Sequence, residues 1–198
     1  MFVGEDEHPC SVYKDNICAK SKFFAAACAL DRWRESKEKL VRLPDADPDA
    51  FQAYFHWVYT GELVAEVYCT SVVLDEDQVK DALIAAFVLG DVLDDPQFRR
   101  KAMDFLIFKC PEWDNIFSFP TLGDVWKKTP PDSPLRRYLI QYIVNKLNRT
   151  EFARDIALFP VELTQELAIA TIKQCKILSD KESVKSLQAM FYPDKITV

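Results

Sequence analysis

Glycine is scarce in this sequence, with four residues among 198. Tight hairpins place glycine where the backbone needs a positive φ. The small number of glycines therefore argues against a chain dense in short hairpins and favours a mostly helical class. Apolar residues make up 49% of the chain and aromatic residues 13%. That share is ample for a buried core and unlike a disordered composition. The length suits one domain, or one domain with a helical extension.

An excess of positive charge is also lacking. The formal net charge is −6 and the sequence pI is about 5.0. Tight binding to a phosphate backbone needs clustered lysine and arginine, so we expect no nucleic-acid partner. Short basic runs such as 99–101 have acidic neighbours, and the simplest interpretation of them is a solvated helix face.

The residue patterns of metal and cofactor sites are missing. The only histidines are His8 and His56, and none of the six cysteines forms a C-x-x-C pair. A structural zinc site needs four closely spaced ligands, and the sequence has no phosphate-binding glycine loop or G-x-S-x-G elbow. Cys18 and His56 are a conceivable nucleophile and base, but nothing in their spacing favours that role, and we interpret them as two core residues. We therefore predict no metal, no cofactor and no enzymatic activity.

Long apolar runs are absent as well. No stretch approaches the roughly 20 apolar residues of a membrane span, and the acidic N-terminus has no apolar run typical of a secretory signal. We expect no membrane association and an intracellular location, cytoplasmic or nuclear, in which the thiols stay reduced.

The segment 12–63 carries the strongest structural signals. Asp15 is placed to cap a helix that contains Ile17, Ala19, Phe23, Phe24 and Ala27. The run 39–43 is apolar enough for a buried strand that Pro44 ends. Asp47 and Pro48 then suit the start of a second helix, and Gly61 suits its end. The pattern predicts helix, strand and helix in about fifty residues.

Three motifs in this segment resemble those of the BTB/POZ domain family, and within it the fungal members. They are V-Y-K-D-N-I-C-A-K-S-K-F-F at 12–24, W-R-E-S-K-E-K at 33–39 and F-H-W-V-Y-T-G-E-L at 55–63. The stretches 89–95 and 129–137 are similar too, and the resemblance covers roughly 1–145. It implies a mostly helical α+β fold, a small β-sheet flanked by helices, and a protein-interaction role without catalysis.

Further helices are predicted along the rest of the chain. Asp77 suits a cap for a helix over 78–90, and Asp95 with Pro96 suits the start of the next. A proline-rich and aromatic stretch at 111–120 marks a boundary. Helices then follow from residue 121, over 134–148, over 160–176 and over 180–191. We predict a BTB/POZ domain at 1–110 and an all-helical extension at 111–198 that packs against it.

At the N-terminus, residues 4–6 are typical of a hairpin turn, with the returning strand expected at 10–13. Relatives carry a longer strand before this turn, so the resemblance implies a truncated first strand. Tyr13 stands where many relatives have histidine, and we expect its ring to fill a half-buried place with the hydroxyl at the edge.

Two contact surfaces follow from the resemblance and from the residue types. Cullin adaptors of this family carry a hydrophobic-x-Glu motif in the loop that holds Trp33 and Glu35, so these two residues are candidates for docking a cullin scaffold. The alternative is that Trp33 folds back onto the core and Glu35 is merely solvated. The run 23–27 is too apolar for one buried face, which favours a homodimer contact through Phe23, Phe24 and Ala27. In the alternative, Phe23 and Phe24 are divided between the core and the second helix.

Overall fold

The structure is a computed structural model, and it describes residues 1–29, 40–63, 76–109, 117–146 and 153–174 of the chain. A small sheet shares one hydrophobic core with the helices. The described helices are the following: α1, Lys14–Lys20; α2, Lys22–Ala29; α3, Pro48–Thr60; α4, Glu76–Val92; α5, Pro96–Lys109; α6, Phe119–Lys128; α7, Pro134–Lys146; α8, Val161–Gln174; and a short 3₁₀ helix, Ile156–Leu158. The predicted α+β, mostly helical class is confirmed.

Three short strands form the sheet: β1 (Phe2–Val3), β2 (His8–Pro9) and β3 (Arg42–Leu43). β1 lies in the centre, antiparallel to β2 and parallel to β3. The turn between β1 and β2 places Gly4 at φ 77, where a side chain would be strained. The returning strand was expected at 10–13 but lies at 8–9. The pairing continues one step further, because the Cys10 amide donates to the Met1 carbonyl over 2.9 Å.

The first predicted helix is two helices. α1 ends before Ser21, whose backbone is extended at φ −106 and ψ 123. The Ser21 hydroxyl oxygen then accepts a hydrogen bond from the Phe24 amide at 3.1 Å, as a helix N-cap does. Asp15 was predicted to be the cap of the first helix, but Tyr13 occupies that position without a side-chain bond. Asp15 lies instead in the first turn, where its charge suits the helix dipole.

The predicted limits of α3 are confirmed at both ends. The Asp47 carboxylate accepts from the Ala50 amide at 2.8 Å, and Pro48 is the first helical residue. Gly61 ends the helix in the left-handed conformation at φ 73, which glycine adopts without steric cost. The face of α3 with Phe51, Tyr54 and Trp57 is buried.

α4 and α5 form an antiparallel hairpin that closes tightly. Gly90 makes this approach possible, because a Cβ there would lie 3.1 Å from the Arg99 nitrogen and 3.1 Å from a Phe98 ring carbon. Asp95 caps α5 by accepting from the amides of Gln97 and Phe98, both at 3.0 Å. The predicted start of this helix is therefore confirmed.

The C-terminal helices continue the same hydrophobic core. α6 begins at Phe119 behind the cap Ser118, two residues before the predicted start. The Tyr138 hydroxyl donates to the Leu106 carbonyl at 3.1 Å and so links α7 to α5. One cluster of buried residues extends from Val3 to Leu167. The predicted helix at 180–191 lies outside the described residues.

A buried arginine joins α6, α7 and α8. Arg136 is 5% exposed and its guanidinium donates to the carbonyls of Trp126 and Thr129, both at 2.5 Å. It also pairs with Glu166 on α8 at 3.3 Å and lies over the Trp126 ring, 5.2 Å from its centre. The last carbonyls of α6 are thereby satisfied by a cation, which suits the negative end of the helix dipole. The sequence pattern gave no sign that this residue is buried.

Candidate interaction surfaces

A buried carboxylate holds α3 against the α4–α5 turn. Asp95 is 1% exposed, and besides capping α5 its carboxylate accepts from the Trp57 indole nitrogen at 3.0 Å and the Tyr54 hydroxyl at 3.3 Å. Burial, followed by the neighbouring charge of Asp95, raises the pKa of Tyr54. The phenol is therefore a fixed hydrogen-bond donor at neutral pH. This network makes the centre of the fold a rigid support.

The α1–α2 hairpin is anchored to the same support. The Ser21 hydroxyl donates to the Leu93 carbonyl at 2.5 Å, and the Lys22 and Phe23 amides donate to the carbonyls of Asp94 and Leu93 at 3.4 Å. The Lys20 ammonium lies 5.0 Å from the centre of the Trp57 ring, within reach of a cation–π interaction. These bonds fix the direction in which α2 leads toward residue 30.

The run 23–27 is divided between core and surface. Phe24 is fully buried, so the predicted dimer contact through this residue is corrected: within one chain it is a core side chain with no area to offer. Phe23 packs edge-on against it, with ring centres 5.2 Å apart, and stays half-buried like Ala27. Ala26 is exposed. The surface of α2 thus includes part of Phe23 and small alanines, together with the exposed Lys22 and the half-buried Cys28.

Tyr13 does not fill the place that was expected for it. Its side chain is 75% exposed, so the prediction of a half-buried ring is wrong. The contact made here is through the backbone, because the Tyr13 amide donates to the Tyr59 hydroxyl at 3.0 Å. The phenol of α3 supplies the acceptor that caps the start of α1, where no local side chain does so.

Trp33 and Glu35, the candidates for cullin docking, lie outside the described residues. The described chain reaches them from both sides, through the end of α2 at residue 29 and through residue 40 before β3. Of these neighbours, α2 is anchored through the Ser21 bond to Leu93, and β3 is held by its pairing with β1.

The Cys18 thiol is poorly suited to nucleophilic chemistry. Its sulfur donates to the Phe24 carbonyl at 3.5 Å, and burial, followed by a hydrogen bond with Cys28, raises its pKa to about 11. A nucleophilic cysteine needs a lowered pKa. Within the described ranges, no group of three or more histidine, cysteine or carboxylate side chains is arranged to hold a metal. None of the helices that the structure describes is both long and apolar enough to cross a bilayer.

A cleft of about 800 Å³ lies between α4, α6 and the loop that joins β3 to α3. Its floor is apolar and comes mainly from one face of α4, with Ala85, Val88 and Val92. Asp45 and Asp47 also line it, the second of which was predicted only to start α3. The sequence did not predict this cleft, because its three walls come from separate parts of the chain.

Comparison with known proteins identifies the family. A search of curated proteins found no match. The family model of the BTB/POZ domain matches residues 1–106, which is more than half of the chain and includes the sheet and most of the helical hairpin α4–α5. The predicted resemblance and fold are therefore confirmed at the level of the family, and this chain belongs to the BTB/POZ domain family.

Proposed function

We propose that this chain is a self-associating adaptor that also docks a cullin-type ubiquitin ligase. BTB/POZ domains are protein–protein interaction modules, so the function to be explained is binding rather than catalysis. The observation that carries the proposal is the surface of α2, where Phe23 is half-buried and Ala26 is exposed on a helix anchored to the core. A partly apolar face on a rigid element is suited to a protein contact.

Self-association is proposed to pair α2 with its copy around a two-fold axis. Small side chains such as Ala26 and Ala27 let two helices approach closely, and a two-fold axis brings the same patch of each chain together. Phe23 would then supply the larger apolar contact. Phe24 takes no part in this pairing, since it is already buried in its own core.

Sedimentation velocity at several concentrations tests this proposal. We expect a dimer for the native chain and a monomer for Phe23→Glu/Ala26→Glu, because two carboxylates would be buried without partners. Val161→Glu is the control: Val161 is 69% exposed and opens α8, where a negative charge suits the helix dipole. A native chain that stays monomeric at every concentration would remove self-association from the proposal.

Docking of a cullin is proposed to use Trp33 and Glu35. Support comes from the hydrophobic-x-Glu pattern and from its position in the sequence, four residues after the end of α2, whose start is bonded to Leu93 and Asp94. Tryptophan is the residue type that most often dominates interface energetics, and a neighbouring carboxylate adds directional hydrogen bonding.

Calorimetric titration with a purified cullin N-terminal domain tests the docking. We expect measurable binding by the native chain and loss of binding by Trp33→Ala/Glu35→Ala. Lys37→Ala/Lys39→Ala, in the same segment, is the matched control and should bind as the native chain does. If the native chain dimerises but binds no cullin, the chain is an oligomerising scaffold without a ligase connection.

We also propose the division into a BTB/POZ domain at 1–110 and a helical extension at 111–198. It is supported by the end of the family match at 106 and the end of α5 at 109. The assignment to the fungal branch and the intracellular location remain predictions from the sequence.

A further inference from the structure

The cleft between α4, α6 and the β3–α3 loop, called here the α4–α6 cleft, is as long as a short α-helix. Its residues on α4 extend from Gln78 to Val92, which at 1.5 Å per residue is a length of about 21 Å. An α-helix of about four turns has this length. The cleft has a volume of about 800 Å³, and the Thr121 hydroxyl on α6 donates to the Asp81 carboxylate on α4 at 2.6 Å.

The floor of the α4–α6 cleft is an apolar stripe without a complete cover. On α4, Ala82, Ala85 and Val88 are half-buried and Val92 is 57% exposed. They follow one another at intervals of three and four residues, so they lie on one face of the helix. This is the surface that an amphipathic partner helix meets with residues at i, i+3, i+4 and i+7.

The rim of the α4–α6 cleft is acidic. Five aspartates border it, against one arginine and one lysine. Both cations already have a carboxylate nearby: Arg42 pairs with Glu7 at 3.5 Å and Lys128 with Asp124 at 3.4 Å.

Two of the rim carboxylates remain available to a partner. In the part of the chain that the structure describes, Asp45 and Asp49 make no ion pair, and both are exposed. Asp45 lies on the β3–α3 loop and Asp49 in the first turn of α3, and both line the cleft. The partner therefore meets exposed negative charge on the side formed by the β3–α3 loop and the start of α3, next to the apolar floor.

We propose that the α4–α6 cleft docks a basic amphipathic helix of a partner protein. The apolar stripe of that helix lies on the α4 floor, and its lysine and arginine side chains reach Asp45 and Asp49 at the rim. Charge complementarity decides the occupant, because attraction of opposite charges favours encounter and like charges oppose it. A second copy of this chain, with a net charge of −6, is disfavoured by the same argument.

The test uses three synthetic peptides of about four helical turns and fluorescence anisotropy. The first has leucine at i, i+3, i+4 and i+7 with lysine on its other faces. The second has the same composition in scrambled order, and the third keeps the leucine stripe with glutamate in place of lysine. We expect the first peptide to bind the full chain, and the other two to bind at least about tenfold more weakly.

Protein variants separate the rim and the floor from the overall acidity of the chain. Asp45→Lys/Asp49→Lys should weaken binding of the first peptide at least about tenfold. The control Asp6→Lys/Asp132→Lys changes the net charge by the same amount at exposed positions outside the cleft and should leave binding unchanged. Ala85→Trp fills the floor and should abolish binding even if the rim variant is unstable. Circular dichroism confirms that each variant is folded.

Equal binding of the first and the scrambled peptide would overturn the proposal, as would equal effects of the two charge-reversal variants. Dimerisation that Ala85→Trp abolishes, together with no peptide binding, would also overturn it, since the occupant would then be a second copy. Because none of these variants touches α2 or the segment with Trp33, the outcome is independent of the proposed self-association and cullin docking.

Discussion

The indole nitrogen of Trp57 lies 3.0 Å from a carboxylate oxygen of Asp95, 38 residues further along the chain. The same carboxylate caps α5 with its other oxygen. The Asp95 side chain therefore caps the start of α5 and also accepts a hydrogen bond from a buried donor on α3. The candidate contact surface of α2 depends on this junction, because Ser21 bonds to the neighbouring Leu93 carbonyl.

We expect Asp95→Ala to lower the free energy of unfolding by roughly 2–4 kcal/mol, because it removes a helix cap and leaves the buried donors of Tyr54 and Trp57 without an acceptor. Asp47→Ala is the matched control: this exposed Asp-Pro cap makes a single side-chain bond, so a loss of about 1 kcal/mol is expected. Urea denaturation measures both, and equal losses would contradict a role for Asp95 beyond capping.

The two helical glycines should respond oppositely to alanine. At Gly90 the new Cβ would lie 3.1 Å from the Arg99 backbone nitrogen, and since backbone yields little, we expect a loss of about 1–3 kcal/mol. At Gly123 nothing lies within 4 Å of a new Cβ, so the better helix propensity should stabilise the chain by up to about 1 kcal/mol. Thermal unfolding of the two variants tests whether their stabilities change in opposite directions. A stabilised Gly90→Ala would show that the α4–α5 contact is loose.

Replacing the buried arginine should loosen the C-terminal helices. Arg136→Ala removes the donors to the Trp126 and Thr129 carbonyls and the partner of Glu166, which we expect to cost roughly 2–4 kcal/mol. Arg137→Ala, at the exposed neighbouring position, should change stability by less than about 0.5 kcal/mol. Hydrogen exchange should show the largest change in α6, α7 and α8, whereas uniform loss of protection would indicate that the whole chain unfolds as one unit.

Alkaline pH should destabilise the α1–α2 hairpin through Cys18. Its ordinary pKa of 9.0 is raised to about 11 in the folded chain, so the folded state holds this proton more tightly than the unfolded state. The resulting stability is present below pH 9 and is lost as the pH rises through 11. Melting temperatures from pH 8 to pH 10.5 should fall more steeply for the native chain than for Cys18→Ala.

The same shift predicts slow alkylation of Cys18. Near pH 8 a thiol with a pKa of about 11 has roughly a hundredfold less thiolate than one at 9.0. Mass spectrometry after iodoacetamide treatment should therefore find this cysteine labelled far more slowly in the folded chain than in urea. Equal rates in the two conditions would show that Cys18 is not held protonated by the fold.

Local signals determined much of the chain. Asp47, Pro48 and Gly61 specify the limits of α3, because capping and a left-handed end depend on neighbouring residues alone. Asp95 with Pro96 likewise marks the start of α5. The family could be recognised from the order of short motifs, each of which lies within one stretch of sequence.

Tertiary structure decided what those residues do. Periodicity made Phe23 and Phe24 equal candidates for a surface, and only the packing of α2 on the core buries one and leaves the other half-exposed. Nothing in the sequence around Arg136 indicates burial, and only the packing of α6, α7 and α8 places its guanidinium in the interior. The α4–α6 cleft is formed by walls that lie about eighty residues apart in sequence, and its acidic rim arises because folding brings those carboxylates to one opening. Patterns in sequence report neighbours along the chain, whereas burial and charge at a site depend on neighbours in space.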